Sequence, residues 1–280
     1  MRITGFITLY VKQYFKYTLF LSFFLILGGA VFTQPMYFQK YVIETDSGKM
    51  VLALYKKTPL HAANFKKLIK TSYYKDLLFH RTIPEFVIQG GDPLSKNALK
   101  GDSLGHGDLG YTVPAEICKE LFHGYGAVGM ARESDPINPL RASSACQFYI
   151  VIGKIRSPKT LEHELNRISE KRFTQQWTLD STHYDWASQT KFFKDSLKTA
   201  IYNRVKPVLS SKQLKIYTSM GGTPHLDGRY TVFGNIIWGM HVAEQISVCA
   251  KDTRDRPMGD MRFTIRKMTW AEHLKPFSKW

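Results

Sequence analysis

The sequence has little cysteine, and none of it is paired at short spacing. The three cysteines, Cys118, Cys146 and Cys249, are odd in number, and no two of them form a CxxC motif. This pattern argues against a disulfide framework and against a zinc site, and it allows at most one bridge. We expect the three thiols to be core residues, and we expect the protein to use no metal and no other cofactor.

The sequence also lacks the usual signatures of a nucleotide or nucleic-acid binder. No GxxxxGK[ST] phosphate loop is present. The formal net charge of +16 is spread along the chain, and no basic stripe with interleaved aromatic residues stands out. A spread charge produces weak attraction to anionic surfaces rather than a dedicated nucleic-acid groove. We therefore expect no nucleic-acid partner.

An apolar run near the N-terminus is shorter than a comfortable membrane span. The sixteen residues from Tyr17 to Phe32 carry no charge, and Arg2, Lys12 and Lys16 precede them. This length falls between the core of a signal peptide and the ~20 residues of a transmembrane helix. We predict that residues 1–36 form an apolar helix that is a signal peptide or a membrane anchor, and the pattern leaves its cleavage open. The positive flank predicts an extracytoplasmic, periplasm-like location for the rest.

The remainder, residues 37–280, is predicted to be one mainly β domain. Residues 41–55 have the pattern of a hairpin that turns at Asp46-Ser47-Gly48, and Thr58-Pro59 begins a helix. Further strands are predicted at 126–131, 145–152, 229–234 and 261–269, and a further helix at 240–249. Many strands separated by glycine turns, with two helices, favour a closed antiparallel barrel whose ends the helices cap.

Residues 153–222 differ from the rest of the domain in their sequence pattern and are predicted to be a helical insert. Ser157-Pro158 is an N-cap followed by a first-position proline, and apolar residues then recur at helical spacing. A second periodic set ends before Pro207, and a third short helix follows Ser210. We expect two or three helices that pack on the main domain through their apolar stripes.

The stretch from Phe79 to Asp92 carries the most distinctive mixture of side chains. It places the Arg81 guanidinium, the Phe86 ring and the Gln89 amide on a strand, a turn and a second strand. Because side chains alternate along a strand, regular strands would put Phe79 and Arg81 on one face. The same alternation would put Val87 and Gln89 on one face of the second strand. His80 is interpreted as a hydrogen-bonded scaffold residue.

Three separated motifs together resemble one known family. They are Phe79 to Asp92, then Gly129-Met130-Ala131 with Gln147-Phe148-Tyr149, and finally Leu226-Asp227-Gly228 through Val232-Phe233-Gly234. In this order they resemble the cyclophilin family of peptidyl-prolyl cis-trans isomerases, over residues 41–152 and 223–270. The resemblance implies a closed eight-stranded antiparallel barrel capped by two helices, and proline-containing polypeptides as substrates.

The chemistry that the resemblance implies breaks no bond. Rotation about a peptide bond faces a barrier of ~18–20 kcal/mol, so the catalyst must bind the twisted amide preferentially. The resemblance gives Arg81, Phe86 and Gln89 the catalytic positions: the guanidinium for the proline nitrogen, the ring for the proline, and the amide for the substrate backbone. The substrate-binding positions that it implies are Val87, Met130, Ala131, Gln147, Tyr149, His225, Leu226 and Tyr230.

Five positions depart from the best-known members of this family. His225 stands where tryptophan is usual, Tyr230 where histidine is usual, and Tyr149 where phenylalanine is usual. Val87 replaces a frequent methionine, and Arg132 a frequent asparagine. The sequence is therefore compatible with two functions. The first is a monomeric isomerase that assists the folding of exported proteins, and the second is a catalytically weak, proline-directed binding or chaperone module that uses the helical insert.

Overall fold

The computed structural model describes residues 37–185 and 188–277. The predicted signal peptide or anchor over residues 1–36 lies outside these ranges. Within them, no helix has both the length and the apolar character needed to cross a membrane.

Eight antiparallel strands form a closed barrel. The strands are β1 Tyr37–Thr45, β2 Gly48–Tyr55, β3 Leu77–Ile83, β4 Val87–Gly90, β6 Ala127–Met130, β8 Phe148–Val151, β9 Val232–Trp238 and β10 Arg262–Lys267, while β5 Thr112–Val113 and β7 Ser143–Ser144 pair separately. Their order around the barrel is β1-β10-β3-β4-β8-β6-β9-β2, so every strand of the barrel is hydrogen-bonded on both sides. Closure removes the exposed strand edges that an open sheet would present. The predicted barrel is confirmed.

Two helices pack their apolar faces against the barrel core, as predicted. Helix α1, Pro59–Lys70, inserts Phe65 among the rings of Tyr74, Phe148 and Phe233, with ring centroids 4.8 to 5.7 Å apart. Helix α5, Met240–Ser247, buries Val242, Ala243 and Ile246 in the same core. Tilted and edge-to-face ring pairs fill the interior at favourable geometry.

Three helices occupy the region predicted as the insert. They are α2 Pro158–Ser181, α3 Lys191–Val205 and α4 Ser211–Ser219, each with an N-cap side chain that accepts a backbone hydrogen bond. Leu161 and Ile168 of α2 are buried, and so is Tyr217 of α4. Helix α3 packs along α2. A further short helix, α6 Trp270–Leu274, follows β10 and was not predicted.

A bulge in β3 contradicts one prediction about which side chains lie on the same face of the strand. Phe79 pairs with Gly90 and Arg81 with Gln89, so one extra residue, His80, lies opposite a single step of β4. A bulge interrupts the alternation of side chains. The expectation that Phe79 and Arg81 share a face is therefore wrong: Phe79 lies in the barrel core, whereas the Arg81 side chain is 39% exposed.

The cysteines are free thiols, but they are not all core residues. Cys146 is fully buried, while Cys118 and Cys249 are partly exposed. The expectation of three core thiols is thus correct for Cys146 alone.

The turn after β4 requires a residue without a side chain. Gly91 has φ +99°, and a Cβ there would collide with the carbonyl oxygen of Cys146. The backbone conformation and the close approach both exclude larger residues at this position.

We expect Gly91→Ala to destabilise the fold more than Gly101→Ala. Gly101 has a similar φ of +91°, but no atom lies within 4 Å of an added Cβ. The left-handed backbone should cost about 1–2 kcal/mol in both variants, and the collision roughly 1–3 kcal/mol more at Gly91. Urea unfolding of both variants measures the difference, and equal free energies of unfolding would contradict the argument.

Candidate active site

Arg81 and Gln89 lie opposite each other on the outer face of the barrel. Their backbones are direct partners between β3 and β4, and both side chains line a cleft of about 230 Å³. The guanidinium of Arg81 lies with its Nε 3.7 Å from Oδ2 of Asp255, which holds it beside the cleft. Loop residues 102–105 form another wall. The cross-strand pairing thus delivers two hydrogen-bond donors to one surface.

Gln147 fixes the orientation of Gln89. The Nε2 of Gln89 donates to Oε1 of Gln147 at 3.1 Å. The Nε2 of Gln147 in turn donates to the carbonyl oxygens of Gly105 and Gly107, at 3.0 and 2.7 Å. Both amide hydrogens of Gln147 are therefore used. Among the described residues, the other N–H and the carbonyl oxygen of the Gln89 amide have no partner, so both can bind another molecule.

Next to this cleft, aromatic and aliphatic side chains form a second cluster separate from the barrel core. Val87 and Tyr149 are buried in it, and Phe86, Leu226 and Tyr230 pack on it from the surface. The imidazole of His225 stacks on the Phe86 ring, with centroids 5.4 Å apart. Five of the predicted substrate-binding residues, Val87, Tyr149, His225, Leu226 and Tyr230, are thus brought together with Phe86.

Two of the predicted residues lie elsewhere or are already bonded. Alternation along β6 directs Val128 and Met130 into the barrel core, where Met130 is 2% exposed. Ala131 borders the site, but its N–H donates to the carbonyl of Gln147 and its own carbonyl accepts from Ser144.

A buried histidine that the sequence analysis did not single out holds the floor of this cluster. The hydroxyl of Tyr149 lies 2.8 Å from Nε2 of His123, whose Nδ1 lies 2.9 Å from Oδ1 of Asp227. With Nδ1 donating to the carboxylate, Nε2 accepts the Tyr149 O–H. His123 lies on a loop between strands, and its side chain is nonetheless only 1% exposed. The backbone around Tyr149 also leaves room for the hydroxyl, because Gly129 lies beneath it.

The helical insert reaches this same network. Oδ2 of Asp227 accepts hydrogen bonds from Tyr217 and Gln213 of α4, and its carbonyl accepts one from Arg172 of α2. Burial, followed by the nearby Asp227 carboxylate, raises the pKa of Tyr217, so this hydroxyl remains a donor. The turn that carries His225, Leu226 and Tyr230 is therefore anchored from the insert.

His80, next to Arg81 in sequence, is unsuited to acid–base work. It is 4% exposed, and neither ring nitrogen has a hydrogen-bond partner in the described part of the chain. The expectation of a hydrogen-bonded scaffold residue is thus not met, although the residue is buried. Burial lowers the pKa of His80 to about 4, so the ring is neutral near pH 7. Across residues 37–185 and 188–277, no group of three potential metal ligands is assembled.

The geometry defines a barrel protein with a partly exposed apolar cluster beside a guanidinium and an amide. A sequence model described as "Cyclophilin type peptidyl-prolyl cis-trans isomerase/CLD" matches residues 40–184 and 190–269. The chain belongs to the family of cyclophilin-type peptidyl-prolyl cis-trans isomerases. Its activity is peptidyl-prolyl cis-trans isomerisation.

Individual proteins agree with this assignment. The chain is 28% identical over 223 residues to a Staphylococcus saprophyticus protein named "Putative peptidyl-prolyl cis-trans isomerase", covering 79% of this chain and 87% of that protein. It is 29% identical over 225 residues to a Streptococcus pyogenes protein named "Putative bifunctional phosphatase/peptidyl-prolyl cis-trans isomerase", covering 79% of this chain and 37% of that protein. A Cryptosporidium parvum cyclophilin-type isomerase shares the fold, with a TM-score of 0.50 and 22% identity over 83% of this chain and 99% of the other.

We expect Tyr149→Phe to destabilise the protein while the ring keeps its place. The substitution leaves Nε2 of His123 buried without a partner, which should cost about 1–3 kcal/mol. Tyr111→Phe is the matched control, because the Tyr111 hydroxyl donates to Asn64 at 2.7 Å on the exposed surface, where water replaces it. Urea unfolding measures both. A loss for Tyr149→Phe no larger than that for Tyr111→Phe would contradict the proposed bond.

Proposed function

We propose that Arg81, Gln89 and the pocket around Phe86 isomerise Xaa-Pro bonds by binding the twisted amide without covalent chemistry. The observation that carries the proposal is the cross-strand pairing of Arg81 with Gln89 beside the cluster of Phe86, Val87 and Tyr149. No bond is made or broken, so neither a nucleophile nor a proton relay is required. The neutral, buried His80 fits such a mechanism.

Each part of the site supplies a different interaction. Twisting the amide localises the lone pair on the proline nitrogen, and a guanidinium N–H of Arg81 then donates to it. The free amide groups of Gln89 hydrogen-bond the substrate backbone and hold it in register. The proline ring rests against Phe86 and Tyr149. Contacts made only in the twisted state lower the barrier, at about 1.4 kcal/mol for each tenfold in rate.

The unusual residues of the rim still enclose the proline. His225 stacks on Phe86, and Tyr230 packs edge-on against Tyr149 with centroids 6.1 Å apart. The guanidinium of Arg132 lies over the Tyr230 ring, 4.5 Å from its centroid. A cation over a ring adds attraction at a partly exposed site. These contacts support a formed pocket despite the departures from the family pattern.

We expect Arg81→Ala to lower kcat/KM roughly 10- to 100-fold, because a hydrogen bond to a charged group is worth about 1.5–3 kcal/mol. A protease-coupled proline isomerisation assay on the full 280-residue chain measures it. Arg262→Ala is the control, since its side chain is 40% exposed, close to the 39% of Arg81, and it lies on β10.

The same assay tests the second candidate, a proline-directed binding module. Contacts between the insert and the rim of the pocket favour this second candidate. Glu164 of α2 lies 3.9 Å from His225, and a tyrosine of α4 donates to Asp227. A binding module would bind the proline peptide, yet Arg81→Ala would leave its isomerisation rate equal to that of the wild type. That outcome would refute the enzymatic mechanism.

We further propose that the chain acts outside the cytoplasm on exported polypeptides, whose folding is slowed by proline isomerisation. The support is the apolar run from Tyr17 to Phe32 with Arg2, Lys12 and Lys16 ahead of it. Such a flank orients the following chain outward across the membrane.

The location is tested by adding protease to bacterial cells whose outer membrane is permeabilised and whose inner membrane is intact. We expect the full chain to be digested and a variant lacking residues 17–32 to be protected until the cells are lysed. Equal protection of both would contradict an extracytoplasmic location. Mass spectrometry of the N-terminus then decides between a cleaved signal peptide and an anchor.

A further inference from the structure

A second and larger groove lies between the insert and the barrel. It has a volume of about 1050 Å³, and its walls come from the second half of α2, the end of α3, the loop of residues 135–141 and the turn at residues 228–229. The α2 residues that line it run from Lys171 to Leu179, which spans about 12 Å along a helix. Three or four residues of an extended polypeptide have this length.

The groove is strongly basic. Its lining carries five cationic side chains and one carboxylate: Arg141, Lys171, Arg172, Arg204, Arg229 and Asp135. Asp135 is already used by Arg132 and Arg229, at 2.6 Å each, and lies 3.5 Å from Arg141. Arg204 is paired with Asp180 at 2.6 Å. Positive charge therefore exceeds the negative charge that faces it.

Arg172 and Lys171 carry most of this excess. The Nε of Arg172 is buried and has no hydrogen-bond partner among the described residues, and its Nη2 donates to a carbonyl rather than to a carboxylate. Burial, and then the neighbouring Arg229, lower the pKa of Arg172. Lys171 is exposed, and the described part of the chain offers it no ion pair.

The groove borders the turn that carries the rim of the proline site. Asp135 bridges Arg229, which lines the groove, to Arg132, whose guanidinium covers the Tyr230 ring of the pocket. Arg229 also precedes Tyr230 in the turn that carries the pocket rim. A polypeptide whose proline occupies the pocket would therefore pass over this turn to enter the groove.

We propose that this groove binds an acidic stretch of the same polypeptide whose proline is isomerised, a selectivity that rests on the proposed function. Carboxylates of such a stretch would meet Lys171 and Arg172, while Pro136, Leu179 and Val205 offer apolar contact beside them. No lining residue of the groove is aromatic in the described structure, so the stacking platform typical of single-stranded nucleic-acid sites is missing.

Paired peptides test the proposal on the full 280-residue chain. All share an Ala-Ala-Pro core and carry four Glu or four Gln residues on one side of it, in either order. We expect the better of the two Glu peptides to bind about tenfold more tightly than its Gln counterpart by fluorescence anisotropy in 50 mM salt. The same ratio should appear in kcat/KM, and it should come from a lower KM for the Glu peptide. The difference between the Glu and Gln peptides should shrink in 0.5 M salt because exposed ion pairs are screened.

The variants assign the effect to the groove. Lys171→Glu and Arg172→Gln should each abolish most of the Glu preference. Lys159→Glu is the matched control, because it is exposed on the same helix, makes the same change in net charge as Lys171→Glu and does not line the groove. Arg172→Gln also alters the turn at Asp227, so Lys171→Glu decides the outcome if the former loses activity on every peptide.

Several results would overturn the proposal. One is equal binding of Glu and Gln peptides, and another is an equal effect of Lys159→Glu and Lys171→Glu, which would indicate the overall field. A third is stronger, Lys171-dependent binding of single-stranded DNA or of anionic lipid vesicles, which would assign the groove another occupant. Anisotropy needs no catalysis, so a Lys171-dependent Glu preference without isomerisation would refute the proposed function and retain the groove.

Discussion

The carboxylate of Asp227 is the group on which the rest of the site depends. One oxygen accepts from the backbone N–H and the Nδ1 of His123, and the other accepts from Tyr217 and Gln213. Hydrogen bonds to a charged group are worth about twice those between neutral groups. These bonds join the turn at the pocket rim, the floor beneath Tyr149 and the last helix of the insert. The insert is thus part of the support of the pocket as well as an addition to the barrel.

The fold was predictable because its signals are local. Glycine turns separate apolar strands, proline follows the N-cap of α1 and α2, and each of these signals acts within a few residues. The details that depend on pairing were not predictable in the same way. The bulge at His80 adds one residue to β3 only when β4 lies beside it, and it decides that Phe79 lies in the core while Arg81 lies outside.

The candidate site likewise has parts that local sequence patterns predict and parts that depend on contacts distant in sequence. The pairing of Arg81 with Gln89 and the grouping of Phe86, Val87 and Tyr149 follow from motifs that the sequence displays. His123 was missed because its partner Asp227 lies 104 residues away in sequence, and no local pattern joins the two. The position of Met130 inside the barrel depends on which face of β6 is inward, and that is set only by its neighbours β8 and β9.

The small space under the pocket floor has a consequence for how the sequence can change. A Cβ at Gly129 would lie 2.5 Å from the Tyr149 hydroxyl oxygen and 2.6 and 2.8 Å from two carbons of its ring, so a larger residue cannot enter at position 129 while that ring keeps its place. The two positions therefore have an ordered substitution path. Position 149 must first exchange its aromatic ring for a smaller side chain, which also leaves His123 with an unpaired nitrogen, before position 129 becomes free to vary. Related chains are expected to keep a glycine at position 129 wherever position 149 carries an aromatic ring.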